Sequence, residues 1–326
     1  MKIKIAELKK LMEKIVSSKY YPSEEAEKIV DVLLYAELTG KNTQGILKML
    51  NRGAPQDCQP DYPPKVIRET PVSVLFDGGK NSGILVAQEA TRKVIKIAQD
   101  KGFGIVGINN IYSSTGAIGY YTRKIAQNNL IGIVMASSPR TVAHFGGLEP
   151  TYGTNPIAFA FPTLESPIIF DMATSAITYF GLVRAHTLGE KLPDNVAIDN
   201  EGNITNDPKS ALDGAILPYG GTHKGSGLGM VVELLAGVLP GASYIFDKPG
   251  DWGMTFIALS PSLLMDTDEF KRRSSDLIQK VKSGKTKNGG ELRIPGYDSE
   301  KELQKIVELG EIDIEDSLLL ELKKLV

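Results

Sequence analysis

The sequence predicts an α+β fold in which a sheet unit is inserted into a discontinuous helical one. Three observations carry this: helical apolar periodicity at both ends of the chain, short β-rich runs between them, and a proline-dense stretch where the texture changes. Residues 1 to about 53 read as helices, because Ala26, Ile29, Val30, Leu33, Leu34 and Leu38 recur at one helical face behind the cap candidate Ser23, with Gly40 as the stop. Pro55, Pro60, Pro63, Pro64 and Pro71 cannot continue a helix and place the first boundary near residue 70. The runs VSVLF, FGIVGI, LIGIVMAS, IAFAFP, PIIFDMA and MTFIALSP read as strands. Helices are expected near Ser82, Ala117 and Ser175 and from Gly227, then at 264–282, 299–309 and 315–325. The expected division is residues 1–70 with 262–326 as the helical unit and 71–261 as the sheet unit.

Composition narrows the functional classes. The chain holds 37 Lys+Arg against 39 Asp+Glu, a formal charge of −2, which gives no global attraction to nucleic acid. The seven cations between Lys271 and Lys287 lack interleaved aromatics and read as a solvated helix face. No apolar stretch approaches the ~18–20 residues that cross a bilayer, and the N-terminal lysines interrupt any secretory-type apolar core, so the segment reads as mature structure. Cys58, the single cysteine, can form neither an internal disulfide nor a thiolate metal site, which suits a reducing, cytoplasmic setting. The three histidines, His144, His186 and His223, have no metal-ligand spacing, so no metal is expected. A small-molecule substrate is the expectation, with no nucleic-acid or membrane partner.

Neither a G-x-G-x-x-G turn after a first strand nor a G-x-x-x-x-G-K-[ST] loop is present, so the sheet is not expected to be a Rossmann or P-loop one. GGTHKGSGLGMVVELLAG from Gly220 instead sets a glycine turn with His223 and Lys224 directly before a helix. That arrangement suits a phosphate as well as it suits close helix packing. SSTGAIGYY at Ser113 and FDMATSA at Phe170 place hydroxyls between a strand and a helix, where capping is the simpler role. Glu24 and Glu25 lie on a charged helix face. The letters around Ser226 spell G-x-S-x-G, but no strand runs into them, which weakens a hydrolase reading.

In order along the chain these loops resemble those of the malate/L-lactate/sulfolactate dehydrogenase family, non-Rossmann nicotinamide-dependent oxidoreductases of 2-hydroxy acids and ketimines. The matching segments are TGKNTQGILKM at Thr39, STGAIGYYTRKIA at Ser114, ASSPRTVAHFGG at Ala136, YGTNPIAFAFP at Tyr152, DMATS at Asp171, GEKLPDNVAIDNEGNITNDP at Gly189, GAILPYGGTHKGSGL at Gly214 and IPGYDSE at Ile294. The resemblance implies NAD or NADP as cofactor, held by the sheet unit, and a homodimer. It also implies cofactor contacts from Ser114, Thr115, Gly116, Ser138, Met172, Ala173, Thr174, His223, Lys224 and Gly225.

The departures fall on the catalytic apparatus. Where the family carries Ser-His-Gly and then Arg, this chain has Thr43, Gln44, Gly45 and Lys48. A second family histidine is Ser114 here, an orienting Asp is Leu182, and the glutamate after Pro-Gly is Tyr297. Glutamine exchanges no proton near neutrality, and general acid–base help is typically worth about 10²–10⁴ in rate. Three readings follow. Hydride transfer proceeds on a substrate that needs no protein base, with Lys48 pairing the substrate carboxylate; or Tyr120, Tyr121 or His144 supplies the proton; or the protein binds dinucleotide without redox turnover.

Overall fold

The computed structural model describes residues 1–18, 21–50, 54–245, 251–287 and 289–326. Its strands are β1 (Lys2–Lys4), β2 (Lys65–Thr70), β3 (Ser73–Asp77), β4 (Phe103–Ile111), β5 (Ile131–Ala136), β6 (Val142–Ala143), β7 (Pro150–Tyr152), β8 (Ile157–Phe161), β9 (Ile168–Met172), β10 (Ala197–Ile198), β11 (Ala215–Ile216), β12 (Trp252–Leu259) and β13 (Glu311–Asp313). Its helices are α1 (Ile5–Ser17), α2 (Ser23–Leu38), α3 (Gly83–Lys101), α4 (Gly119–Gln127), α5 (Tyr179–Leu188), α6 (Pro208–Asp213), α7 (His223–Val232), α8 (Thr267–Lys282), α9 (Tyr297–Leu309) and α10 (Asp316–Lys323).

The main sheet runs β2-β3-β4-β12-β5-β8-β9, and only the β3–β4 pair is parallel. A doubly wound dinucleotide fold needs a mostly parallel sheet, so the architecture is α+β and not Rossmann. Strand β12 lies at the centre, buried over most of its length, and is laid between β4 and β5, which precede it by more than a hundred residues. Helix α3 covers one face. Its apolar stripe (Ile84, Ala87, Val94, Ala98) is buried, and Gly102 ends it in the left-handed conformation with its N–H on the Ala98 carbonyl.

The two ends of the chain meet: β1 pairs antiparallel with β13, and Leu303, Ile314, Leu319 and Leu322 share one apolar cluster with α1, α2, α3 and the sheet. Helix α8 buries Ile278 against Ile294, Tyr297 and partly buried Ile168 of β9. Its cations alternate with acids, as in Lys271–Asp268 (3.7 Å) and Lys280–Asp276 (2.6 Å), which makes it an ion-paired surface.

Several boundaries differ from expectation for local reasons. Residues 65–70, expected in the helical part, form the edge strand β2, exposed along its whole length and so without an alternating apolar signal. Lys2–Lys4 is a strand because Glu311–Asp313 is there to pair with it, and residues 42–49 form two short 3₁₀ turns. Pro22 precedes α2, and Ser23 is its first residue without a capping side chain. Helix α5 begins at Tyr179, where the Thr178 hydroxyl accepts from the Gly181 N–H. Helix α7 starts earlier than expected, at His223, and continues into a π-helical segment over Glu233–Val238. The expected end of the first helical run, residues 51–53, lies outside the described residues.

Candidate active site

The site begins where α2 ends. Gly40 takes the left-handed conformation (φ 73°) and donates to the Glu37 carbonyl, and the Lys41 N–H bonds back to the Ala36 carbonyl at 2.8 Å, a paired C-cap that fixes the chain's exit. Two 3₁₀ turns follow, Asn42–Gln44 and Ile46–Met49, joined at Gly45. A Cβ at Gly45 would stand 2.1 Å from the Glu37 carboxylate, so only glycine lets this loop close over the helix. Glu37 is buried and accepts from the Ile46 N–H at 3.0 Å. Burial pushes its carboxyl up, and that one hydrogen bond opposes the rise.

The loop is thereby held against a cavity of about 650 Å³, within the size range of small-molecule sites, and Lys41, Thr43, Gln44 and Lys48 line one side of it. Lys48 is 6% exposed, with its Nζ 3.4 Å from the centre of the Phe180 ring, and makes no ion pair among the described residues. Desolvation holds its amine well below the usual lysine range. Lys41 pairs with Asp171, which also accepts from the Gly119 N–H at 3.0 Å.

The opposite side is built from strand ends. After β4 the chain turns through Ser113 (φ 69°) and Gly116 (φ 68°), and the Ser114 hydroxyl accepts from the Gly116 N–H at 3.2 Å. Tyr121 braces this turn from beneath by donating to the Thr115 carbonyl at 2.8 Å. After β5, Ser138 and Arg140 reach the cavity, and the end of β9 supplies Met172 and Ala173. Ser138 is held by its neighbours: its hydroxyl lies 3.4 Å from that of Thr154, and a Cβ on Gly153 would strike its backbone carbonyl at 2.2 Å. The next residue, Asn155, donates to buried Glu233 at 2.6 Å, tying this loop to the π-helical segment.

The cavity thus gathers Thr43, Gln44, Lys48, Ser114, Thr115, Gly116, Ser138, Met172 and Ala173 from four separate stretches of chain. Thr174 is buried one residue behind it, its hydroxyl donating to the Thr154 carbonyl and packed near Gly229 of α7. His223, Lys224 and Gly225 do not line the cavity. They form the first turn of α7, linked to its wall because the Tyr219 N–H bonds to the Thr174 carbonyl at 2.9 Å.

The three expected proton donors are placed elsewhere. Tyr121 is fully buried in the core, Tyr120 nearly so, and burial raises both phenols, Tyr120 to about 12. His144 also stands off the cavity. Its Nδ1 lies 3.0 Å from the Ser226 hydroxyl and 3.1 Å from that of Tyr152, so it secures the loop beside α7. Ser226 is buried in the first turn of α7, accepts from the Phe145 N–H at 2.9 Å and does not line the cavity. Leu182 is buried in a small apolar cluster, and the Tyr297 hydroxyl donates to Glu165 at 2.6 Å, away from the cavity. Lys41, Asp171, Arg140, Phe180 and Trp252 line it without having been singled out from sequence.

A nicotinamide dinucleotide fits this arrangement. Pro139, Met172, Ala173 and Trp252 give apolar surface for rings, while Thr141 Oγ1 is buried on the wall with no hydrogen-bond partner and remains available to a ligand. The α4 N-terminus is already taken by the Asp171 carboxylate, which excludes a phosphate there. The first turn of α7 is preceded by left-handed Gly220 and Gly221 and carries Lys224, an arrangement with the chemistry to accept an anion.

Comparison with known proteins agrees with this geometry. The family model described as malate/L-lactate dehydrogenase matches residues 3–323. The chain belongs to the malate/L-lactate dehydrogenase family. It is 35% identical to the L-sulfolactate dehydrogenase of Methanothermobacter thermautotrophicus over 91% of this chain and 88% of that one. It is 30% identical to the ureidoglycolate dehydrogenase (NAD(+)) of Escherichia coli over 98% and 94% of the two chains. A Delta(1)-pyrroline-2-carboxylate/Delta(1)-piperideine-2-carboxylate reductase of Pseudomonas putida shares 36% identity over 63% of this chain and 62% of its own. Among solved structures, the sulfolactate dehydrogenase of Methanocaldococcus jannaschii superposes with a TM-score of 0.87 at 31% identity, covering 100% of this chain and 96% of that one. Membership makes this protein a nicotinamide-dependent dehydrogenase or reductase acting on CH–OH or C=N groups.

Proposed function

We propose that the protein transfers a hydride between NAD(P)H and a small 2-keto acid or cyclic imino acid, with the substrate carboxylate held by Lys48. The observation that carries this reading is the Lys48 amine: a buried cation site on the cavity wall with an aromatic ring on one side and, among the described residues, no carboxylate paired with it. Such a group lowers its energy by receiving an anion. As a point charge it needs no bidentate match, unlike the arginine expected at this position from the family resemblance. When bound, the reduced nicotinamide supplies the hydride. Gln44 and Thr43, on the same loop, offer hydrogen bonds to a carbonyl oxygen or imine nitrogen, and Ser114 to Gly116, Ser138, Met172 and Ala173 face the same space. The curated relatives include enzymes named for a 2-hydroxy acid and for cyclic imino acids, which supports both substrate classes.

Two finer points belong to this reading. The chain acts as a homodimer, supported by an exposed apolar stripe on α7 and its π-helical extension: Met230, Val231, Leu234 and Val238, with Tyr244 and Ile245 beside them, each more than 40% exposed. It works in a reducing, cytoplasmic compartment, supported by the free, buried Cys58, whose thiol burial pushes up to about 11.

The test is oxidation of NADH and NADPH by the purified protein against a panel of 2-keto acids and cyclic imino acids, read by nicotinamide absorbance. Turnover of any member establishes the reaction and its substrate class. Cofactor binding without turnover on the whole panel overturns it.

A further inference from the structure

Reduction of a carbonyl needs one proton for the oxygen, and Gln44 stands where the family resemblance would put the histidine that supplies it. The titratable side chains lining the cavity are Lys41, Lys48, Arg140, Tyr179 and Asp171. Arginine does not give up its proton in water. The Tyr179 hydroxyl has no hydrogen-bond partner among the described residues to activate it. Lys48 is enclosed beneath Phe180 and is committed, on the reading above, to the carboxylate.

Lys41 differs from Lys48 in two respects. It is ion-paired, with Asp171, which holds its amine at the edge of the cavity. It also reaches water: its side chain is 34% exposed, and Lys41 and Asp171 together form the partition between the main cavity and a second one of about 230 Å³ lined by Tyr35, Thr39, Phe170 and Ser299. A donor must be reloaded each cycle, and a pair that faces substrate on one side and a separate opening on the other can be reloaded while the substrate cavity is filled. The pair is held in place from both ends. The C-cap of α2 fixes the Lys41 backbone, and the Gly119 N–H fixes the Asp171 carboxylate.

We propose that Lys41, paired with Asp171, is the proton donor of the reaction and takes the role left vacant by Gln44. As the substrate carbon receives the hydride, the carbonyl π pair moves onto oxygen and forms an O–H bond while one N–H bond of the Lys41 ammonium breaks. The two electrons come from the reduced nicotinamide, which leaves oxidised, and Lys41 regains its proton from water through the second cavity. The Asp171 carboxylate pairs the ammonium before the transfer and again once Lys41 is reprotonated. Beyond this pair stand Tyr35, Arg123 and Glu300; the last two form a partly buried ion pair at 2.7 Å that screens Glu300 from Lys41.

The inference rests on the proposed reaction, and the experiment separates the two. Lys41→Met and Lys41→Arg are compared with wild type on the best substrate of the panel, with NADH affinity measured by fluorescence titration. In a second readout, trace acetylation of wild-type lysines is measured by mass spectrometry with and without NADH plus oxamate, a non-reducible 2-keto-acid analogue. The expected result is a kcat lowered about 10²–10⁴-fold in both variants with NADH affinity unchanged, ligand protection of Lys41, and partial recovery when Gln44→His is added to Lys41→Met. Full activity in Lys41→Arg would make the role one of charge alone and overturn the proposal, as would acetylation of Lys41 indifferent to ligand. A silent wild type would instead remove the proposed reaction and this inference with it.

Discussion

Lys48 Nζ lies 3.4 Å above the Phe180 ring, and that aromatic face, not a carboxylate, is what meets the buried amine. Because burial depresses the amine, the unfolded chain holds this proton more tightly than the folded chain does. The folded state is therefore penalised below the unfolded pKa of about 10.4, and stability rises with pH up to that value. Lys48→Met is expected to raise Tm at neutral pH by about 2–4 °C, with the gap to wild type closing as the pH approaches 10, read by thermal melts across pH. The same variant should raise the KM of an anionic substrate at least about tenfold. A Tm gap that does not vary with pH would contradict a buried amine held below the usual lysine range.

Gln44 lines the cavity on the same 3₁₀ turn as Thr43. Gln44→His is expected to raise kcat for 2-keto acids about tenfold or more and to introduce a limb near pH 6.5 in the kcat profile, where imidazole titrates. A profile identical to wild type would mean that position 44 does not reach the reacting oxygen.

His144 binds Ser226 and Tyr152 and does not face the cavity. His144→Ala should leave the pH dependence of kcat unchanged and lower thermal stability by about 1 kcal/mol, the cost of a lost hydrogen-bond partner. A flattened profile would return His144 to the reaction.

Gly153 leaves no room for a side chain, since a Cβ there would stand 2.1 Å from Ser138 Oγ and 2.2 Å from its carbonyl oxygen. Gly153→Ala must displace the backbone that carries Ser138. It is expected to weaken NADH binding about tenfold and to cost about 1–3 kcal/mol of stability, measured by fluorescence titration and denaturant unfolding.

Leu234 is 47% exposed at the centre of the apolar stripe that follows α7. Leu234→Glu should convert the dimer to monomer in sedimentation velocity, because an interface core does not accept an unpaired charge. A wild type that sediments as a monomer would remove the homodimer.

Much of the fold was legible because local chemistry and tertiary outcome agree. The apolar stripe of α3 and the alternation in β4 bury the residues their periods nominate. The edge strand β2 was not legible, since all six of its residues are exposed and no periodic signal marks them. In the site, the segments around Ser114 and Met172 were legible as lying between a strand and a helix, whereas those around Thr43 and Ser138 stood out only through the family resemblance. That Lys41 of the Thr43 segment pairs with Asp171 of the Met172 segment, across 130 positions of sequence, has no local signature.

What the sequence by itself determined is the inventory: a glycine-rich turn before α7, a loop with glutamine and lysine where the related family has histidine and arginine, and no G-x-G-x-x-G turn of the kind a Rossmann sheet carries. These follow from residue type and spacing, which act over a few residues along the chain. The tertiary structure decided which residues share a cavity. It set Lys48 under Phe180 with no ion-pair partner among the described residues, withdrew Tyr121 into the core and His144 to the α7 loop, and made Lys41 and Asp171 a wall between two cavities. Burial and charge pairing depend on distances closed only when β12 inserts between β4 and β5 and the distant loops converge, so no reading of one segment could assign them.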